Sequence, residues 1–309
     1  MKNLIFLALS SVILFSCSEL ESIQTEDKTA AKFVVNTTQS PFSDYWDKGQ
    51  AEITTYELKQ ARYGEIHEGI ANSIFVTEPF SKSKQVKLDY PNKNPSDLMP
   101  VMKLNFTRKF YTGVYPYSTM LSVFTPQDVK KHPNSLKAVF GAQEWCGQTY
   151  SQLNLSNSGF DMEQFSYFES EGDKNVKLKK AMLEDELWNM VRLDPSKLPI
   201  GTIEMIPGLT FTRLAHQPAD AVKAEGKLTK NGNMSTYSVY YPAYERTLSI
   251  DFKSEFPHHI ESWKEDGYSG FGSKRKKLAT TATVKSRKML DYWNKHDLND
   301  SAIRADLGL

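Results

Sequence analysis

Apolar and polar side chains alternate along much of this chain, and a period of two predicts strands with one buried face. The alternation is clearest over residues 85–90, 101–106 and 247–252. Residues 51–77 predict one or two further hairpins, and other strands are predicted over residues 118–124, 136–145, 149–155, 160–168, 202–206, 209–214, 223–230, 234–241, 259–263 and 278–292. Asn231-Gly232 favours a tight hairpin turn between two of these runs.

A different spacing predicts one helix over residues 176–193. The apolar residues of its predicted buried face, at helical spacing, are Leu183, Leu187, Met190 and Val191. Lys180 and Glu184 are spaced to pair on the solvent side, and Pro195 ends the helix because the residue before a proline resists helical geometry. A short closing helix is predicted over residues 298–307, with Asn299, Asp300 or Ser301 as its cap.

These patterns predict an α+β fold that is mainly antiparallel sheet. The sheet is expected to be curved or to form an incomplete barrel, with the helix of residues 176–193 packed on it and a short helix at the C-terminus. Residues 41–309 are predicted to be a single β-rich domain, and a subdivision near residues 195–201 is the alternative. Curved sheets often enclose an apolar hollow with polar groups at its mouth, so this fold favours binding. An Asp266–Ser273 segment rich in glycine is expected to be a loop.

The first residues have the layout of an export signal, because Lys2 is positive and residues 4–15 are apolar. The apolar run is too short to cross a bilayer, which takes about 20 residues. Leu14-Phe15-Ser16-Cys17 resembles a bacterial lipobox. The resemblance implies that residues 1–16 are removed and that Cys17 carries a lipid. An ordinary secretory signal with a chance cysteine is the alternative.

Residues 17–40 are polar and acidic at their start, and they predict a disordered tether between the lipid and the folded body. Ser18 stands where an inner-membrane retention signal of the enterobacterial kind has Asp. By that analogy the protein is expected in the outer membrane of the bacterial envelope, on either the periplasmic or the external face. The membrane is thus the first predicted partner.

Composition narrows the class of protein. The chain has 38 basic and 37 acidic side chains and a net charge of +1, whereas a nucleic-acid binder should have a strong basic excess. Only two cysteines occur, so Cys146 has no intramolecular partner if Cys17 is lipidated. The 17 Phe, 15 Tyr and 5 Trp favour a sheet over a helical bundle.

Short runs along the chain carry a resemblance to one family. Residues 56–58, 62–65, 74–78, 144–147 and 290–294 read Tyr-Glu-Leu, Arg-Tyr-Gly-Glu, Ile-Phe-Val-Thr-Glu, Glu-Trp-Cys-Gly and Leu-Asp-Tyr-Trp-Asn. They resemble an uncharacterised lipoprotein family of Bacteroidetes-type bacteria, some members of which have a name linking them to septum-formation inhibitors. The Ser-x-Ser-Pro-Arg start of those nucleotide pyrophosphatases is absent from this sequence. Residues 245–263 also resemble the paired strands of periplasmic lipoprotein-carrier folds.

Cys146 is a candidate reactive thiol. Residues 145–149 resemble the thioredoxin motif, but Thr149 replaces its second cysteine, so a dithiol cycle is impossible. A cysteine hydrolase would still be conceivable with a histidine brought close by folding. The candidate histidines are His132, His216 and His259. The alternative interpretation makes Cys146 a buried small residue beside a core tryptophan.

Two polar clusters have a possible metal chemistry. Glu169, Glu171 and Asp173 surround a glycine and could hold calcium, although a solvated hairpin turn explains them as well. His258-His259 has no carboxylate or cysteine at a zinc-like interval. We therefore predict neither a metal nor another cofactor.

Two surface motifs remain. Lys274, Arg275, Lys276 and Lys277 form a basic run that could touch anionic lipid phosphates or protect a sheet edge from pairing. Asp300-Ser301-Ala302 resembles a short O-glycosylation motif of Bacteroidetes envelope proteins, while a helix cap explains the same residues.

The sequence lacks a phosphate-binding glycine loop, a nucleophile elbow and a His-Glu-x-x-His motif. We therefore predict a lipid-anchored envelope protein that binds an apolar ligand, a lipoprotein or a partner protein without catalysis. The alternative is an envelope hydrolase that uses Cys146 or a pair of carboxylates. A purely structural envelope component is a third possibility.

Overall fold

The computed structural model describes residues 40–309, which form one sheet of 15 strands with short helices. The strands are β1 Ala51–Arg62, β2 Glu65–Ser81, β3 Leu98–Thr112, β4 Tyr115–Pro126, β5 Lys137–Glu144, β6 Gly147–Leu155, β7 Gly159–Ser166, β8 Lys174–Lys179, β9 Met182–Leu183, β10 Gly201–Ile206, β11 Val222–Asn231, β12 Met234–Tyr241, β13 Arg246–Lys253, β14 Ile260–Ser269 and β15 Lys276–Leu290. The α-helices are α1 Pro41–Trp46, α2 Leu187–Leu193, α3 Leu209–Ala215 and α4 Ile303–Asp306.

The sheet consists of two meanders joined at its centre. Strands β1 to β8 lie in chain order on one side, and β15 back to β9 lie on the other, with β1 paired to β15 between them. All neighbours are antiparallel except β9 and β10. Strands β8 and β9 are the two edges, and Lys179 of β8 reaches Glu204 of β10 with Nζ 2.5 Å from Oε2. The predicted antiparallel, curved sheet or incomplete barrel is therefore confirmed.

The helix α2 lies inside the curved sheet and is shorter than the predicted helix over 176–193. Residues 174–179 form β8 instead, because Val176 and Leu178 pair with Met162 and Phe160 of β7. All residues from Leu187 to Arg192 are buried, which is typical of a helix surrounded by protein. The prediction of one solvent-facing side was wrong, since Glu184, expected to pair with Lys180, is 4% exposed.

Aromatic side chains fill the space that an apolar hollow would need. Trp188 of α2 lies 5.0 Å from Phe106 and 5.9 Å from Trp263 between ring centroids, and all three side chains are buried. Burying such a side chain contributes about 1.5–3 kcal/mol. The concave side of the sheet is thus a packed core.

Four further sequence expectations need correction. Residues 85–90 form no strand and contribute only the isolated bridge between Phe80 and Lys87. Residues 209–214 lie in helix α3, and the first part of the expected loop at 266–273 continues β14. The closing helix begins with a 3-10 turn at Leu298–Ala302, and its capping residue is Asp297, whose backbone amide donates to Asp300.

One end of the sheet, which we call the base, carries a buried ion pair. Glu52 of β1 is 0% exposed and accepts two hydrogen bonds from Arg192 of α2, at 2.5 and 2.7 Å. Tyr45 donates to the same carboxylate, and His259 lies 3.4 Å from it. Burial by itself raises the pKa of Glu52, but the Arg192 guanidinium outweighs burial and the pKa is lowered. This pair fixes α2 against β1.

The opposite end, which we call the mouth, contains the turns of alternate hairpins. Antiparallel neighbours place the β1–β2, β3–β4, β5–β6, β7–β8, β12–β13 and β14–β15 turns at this same end. Helix α3 joins them there, because Leu214 accepts a hydrogen bond from Arg62 at the end of β1. Among the described residues, no helix is both long and apolar enough to cross a membrane.

Candidate functional site

Aromatic rings form a continuous row of contacts across the mouth. Neighbouring ring centroids in this row are 5.6–6.5 Å apart, and the row runs Trp145, Tyr115, Tyr117, Tyr63, Phe271, His216, Phe168 and Tyr167. Several members face solvent, with Trp145 71%, Tyr167 73% and Phe271 52% exposed. Exposed aromatic rings grouped at one end of a molecule are typical of a binding surface.

A pocket of about 460 Å³ opens beside this row, between α3, the β12–β13 turn and the β14–β15 turn. We call it the mouth pocket. Its buried floor includes Gln60, Arg246 and Thr280, its apolar wall includes Phe211, Leu214, Tyr244, Phe271 and Leu278, and Arg275 lines its exposed rim. Ligand pockets commonly have about 300–1,000 Å³ and mix apolar walls with few polar groups. The mouth pocket therefore has the size of a small-ligand site, and its lining mixes polar and apolar side chains.

Gly267 of β14 helps to keep the mouth pocket open. It lines the pocket and pairs with Leu278 of β15. A Cβ atom built at Gly267 would lie 3.6 Å from the Arg246 side chain, an ordinary contact distance. A larger side chain at this position would therefore extend into the pocket without a clash at its first carbon.

The ionised side chains of the pocket floor are joined in one network. Arg246 donates to Glu184 at 2.5 and 2.8 Å and lies 3.3 Å from Glu265, which also binds Arg108 at 2.8 Å. Burial by itself raises the pKa of Glu265, but Arg108 and Arg246 lower it by more, so the pKa of Glu265 is below its usual value. Glu265 thus stays ionised, and a general acid for glycoside hydrolysis needs the opposite, a raised pKa.

The two acidic residues that follow Glu184 are buried as well. Asp185 accepts a hydrogen bond from the Leu209 amide at 3.0 Å, and Glu186 accepts one from the Ser135 amide at 2.5 Å. Burial raises the pKa of each carboxyl to about 7. Both carboxyls accept hydrogen bonds from backbone amides of other segments, so they fix the packing of the segment between β9 and α2. Neither residue lines the mouth pocket.

Cys146 lies in the β5–β6 turn at the mouth and is exposed. Its amide donates to Glu144 at 2.7 Å, and the Glu144 carboxylate raises the pKa of the thiol. The expectation of a buried cysteine beside a core tryptophan was wrong, because the turn points both Trp145 and Cys146 outward. A thiol held protonated by a carboxylate is a poor nucleophile.

The candidate histidine partners are dispersed. His216 lies at the mouth, with Nδ1 2.6 Å from Glu171 and Arg213 beside the same carboxylate. His259 lies at the base, and His132 is exposed in the β4–β5 loop. Among the described residues, no histidine nitrogen is a hydrogen-bond partner of Cys146. The structure therefore assembles no thiol–imidazole pair.

The acidic run at residues 169–173 and the basic run at residues 274–277 each contact several different partners. Within residues 40–309 no three His, Cys, Asp or Glu side chains are grouped to hold a metal, and Glu171 is used by Ser166, Arg213 and His216. In the basic run, Arg275 stacks over Tyr268 at 3.6 Å, Lys277 binds Glu245 at 2.8 Å, and Lys274 and Lys276 are exposed.

The remaining candidates have ordinary surroundings or lie outside the described residues. His258 is half-buried and contacts the Lys253 carbonyl. Asp300-Ser301-Ala302 forms part of the closing 3-10 turn. Cys17, the signal at residues 1–16 and nearly all of the predicted tether at 17–40 fall outside residues 40–309.

Sequence reasoning missed Arg62, Gly267 and the floor network of the mouth pocket. In the sequence, residues 62–65 were noted only for the family resemblance and as part of a predicted hairpin. In the structure they form the β1–β2 turn, where Gly64 has a φ of +79° and a Cβ would clash with the Lys274 carbonyl oxygen. What sets these residues apart is which charged side chains pair in the folded chain, and the linear sequence does not show those pairs.

No protein-family model matches the chain, and no curated protein matches it. Among solved structures, it is similar to a beta-barrel-like protein of domain of unknown function DUF1849 from Brucella abortus, with 8% identity, 78% of this chain and 97% of that chain covered, and a TM-score of 0.46. It is also similar to a porin-like protein from Bacteroides uniformis, with 9% identity, coverages of 77% and 95%, and a TM-score of 0.21. Such low TM-scores carry no argument about function. The lipoprotein family stays a prediction.

Proposed function

We propose that this protein is a lipid-anchored component of the bacterial envelope that binds an apolar or amphipathic ligand in the mouth pocket, without catalysis. The observation that carries the proposal is the open pocket of about 460 Å³ with aromatic and aliphatic walls. The anchor rests on the lipobox-like sequence that ends at Cys17, and an outer-membrane location rests on Ser18 after it.

The mouth pocket is favoured over the interior because the concave side of the sheet is occupied. Trp188, Leu187 and Met190 of α2 are each at most 5% exposed and pack within the sheet. A ligand can therefore enter at the mouth without unpacking the core, whose side chains are close-packed.

Binding is favoured over hydrolysis because the candidate catalytic groups near the mouth are already engaged by charged neighbours. Glu265 is held ionised by Arg108 and Arg246, and the Cys146 thiol is held protonated by Glu144. Neither group has the pKa that acid–base or nucleophilic catalysis needs.

The pocket is tested with N-phenyl-1-naphthylamine, a neutral apolar dye that fluoresces in apolar sites. We expect the protein to bind the dye and Gly267→Val, whose side chain extends into the pocket and narrows it, to weaken binding at least about tenfold. Gly141→Val is the comparison variant, because Gly141 is another strand glycine with its nearest contact 4.0 Å away, and it lines a separate pocket of about 560 Å³ on β4 to β7. Weaker binding in Gly141→Val instead would place the dye in that second pocket. Equal dye affinity in wild type and Gly267→Val would refute a site in this pocket.

The anchor is tested separately by Cys17→Ser and cell fractionation. We expect the wild-type protein in the outer-membrane fraction, with the mass of a lipidated chain that begins at residue 17. The variant should lose the lipid mass. A variant with unchanged mass and membrane attachment would exclude lipidation at Cys17.

A further inference from the structure

Arg62 differs from every other buried arginine in the described part of the chain. The buried arginines are Arg62, Arg108, Arg192, Arg213 and Arg246. Four of them lie within 4 Å of a carboxylate, namely Arg108 near Glu265, Arg192 near Glu52, Arg213 near Glu144 and Glu171, and Arg246 near Glu184 and Glu265. Arg62 is 5% exposed and has no carboxylate within that distance among residues 40–309.

Neutral groups surround the Arg62 guanidinium. It donates to the Leu214 carbonyl and to the Tyr117 hydroxyl at 3.2 Å, and its carbon lies 4.3 Å from the Tyr63 ring centroid and 5.9 Å from that of Phe271. Its Nε has no hydrogen-bond partner within the described residues. Carbonyl, hydroxyl and ring contacts offset part of the desolvation of a buried cation, but they supply no opposite charge.

The other charges that line the mouth pocket do not neutralise Arg62. Glu265 is bound by Arg108 and Arg246, and the two remaining carboxylates are bound by lysines, Glu245 by Lys277 and Asp266 by Lys264, each at 2.8 Å. Arg275 on the rim also has no carboxylate within 4 Å in the described chain. The pocket therefore has two cations, at Arg62 and Arg275, that are not neutralised by an ion pair.

We infer that the mouth pocket selects an anionic amphiphile, in which a carboxylate or phosphate group faces Arg62 and an apolar chain lies against the aromatic wall. This inference rests on the proposed function and adds the chemistry of the ligand. Arg62 is the binding residue for the anionic group, since its cation has no carboxylate partner and its Nε–H has no acceptor within the described residues, and a charge-assisted hydrogen bond to an anion would supply both. Arg275 adds attraction at the rim, where solvent screens it more strongly.

The test measures displacement of N-phenyl-1-naphthylamine from the full chain carrying Cys17→Ser. The competitors are dodecanol, dodecanoate and dodecyl phosphate, which share one apolar chain, and inorganic phosphate, which has none. We expect both anionic amphiphiles to displace the dye at concentrations at least about tenfold lower than dodecanol. Inorganic phosphate alone should not displace it, so the anion is recognised only on an amphiphile.

Two substitutions assign the preference to the arginines. Arg62→Met should reduce the preference for the anionic competitors to the roughly threefold share that Arg275 supplies, while the protein still binds dodecanol. Met is an apolar side chain of suitable length, so we expect the variant to keep the melting temperature of the parent. Arg275→Gln, on the exposed rim, should reduce the preference about threefold. Lys276→Gln is the control, because Lys276 is exposed in the same turn and outside the pocket lining, and it should change nothing.

The outcomes separate this inference from the proposed function. Equal potency of dodecanol and dodecyl phosphate in the parent protein overturns the inference and leaves ligand binding intact. A preference for anions that is as large in Arg62→Met as in the parent overturns the role of Arg62. If inorganic phosphate displaces the dye as strongly as dodecyl phosphate does, the claim that the ligand is an amphiphile is overturned. A protein that binds neither dye nor dodecanol overturns both proposals.

Discussion

Replacing Arg192 by Met tests whether the buried ion pair at the base holds α2 inside the sheet. The substitution leaves the Glu52 carboxylate, 0% exposed, without its two hydrogen bonds at 2.5 and 2.7 Å. Removing one partner of a buried pair destabilises a protein by about 3–5 kcal/mol. Arg287, whose Nε lies 3.8 Å from Glu52, remains and should keep the loss near the lower figure.

Urea unfolding at pH 7, followed by tryptophan fluorescence, measures this loss. With an m-value of about 3 kcal/mol/M, a loss of about 3 kcal/mol lowers the midpoint by about 1 M. The double variant Glu52→Gln with Arg192→Met removes both charges, and we expect it to recover most of the stability because no unpaired ion stays buried.

The pH dependence of Arg192→Met supplies an independent check. In the wild type the pKa of Glu52 is lowered, so its stabilising contribution is present above about pH 4.3 and is lost as the pH falls through the folded-state pKa. Without Arg192, burial dominates and the pKa rises, so Glu52 takes up a proton on folding. The stability difference between variant and wild type should therefore shrink as the pH falls from 7 to 5. A loss below about 1 kcal/mol at pH 7, or a difference independent of pH, would refute this account of the base.

Three further predictions follow from buried and exposed groups. Burial raises the pKa of Asp185 to about 7, so its ionisation destabilises the fold as the pH rises from about 4 to 7. In urea unfolding, the stability of Asp185→Asn relative to wild type should therefore increase by about 2–3 kcal/mol from pH 5 to pH 8. A relative stability that does not change with pH would contradict the assigned burial. Cys146 should react slowly with iodoacetamide at pH 7, and Glu144→Gln should accelerate the reaction by removing the carboxylate that raises the thiol pKa; unchanged rates would remove that explanation. Trp263→Ala, at 1% exposure, should lower stability by about 3–5 kcal/mol, whereas Trp145→Ala, at 71% exposure, should leave the thermal midpoint nearly unchanged, and similar losses in both would contradict the assigned burial.

The alternation of apolar and polar residues was sufficient to predict much of the secondary structure. The alternation predicted strands such as β6 and β12 and the antiparallel class of the sheet, and the Asn231-Gly232 pair predicted the hairpin between β11 and β12. These features depend on neighbours in sequence, because a period of two or a glycine in a turn acts locally. The lipobox-like segment at Leu14–Cys17 is local in the same sense, and its lipidation stays a prediction.

Sequence reasoning predicted part of the candidate site without its arrangement. Trp145, Cys146, His216 and Arg275 were singled out, and the structure places all four at the mouth. Their predicted roles did not follow, because the thiol faces Glu144 and the histidine faces Glu171.

Only the tertiary structure decided which charges are paired and which segments become strands. Residues 176–179 were included in the predicted helix, yet they pair with β7 because the edge of the sheet offers backbone partners there. Glu184 meets Arg246, 62 residues away, whereas Arg62 meets no carboxylate in the described chain. A buried charge is stabilised by what folding brings within about 4 Å of it. That distance depends on strand order and register across the whole sheet, so the sequence determined the strands and the fold determined the site.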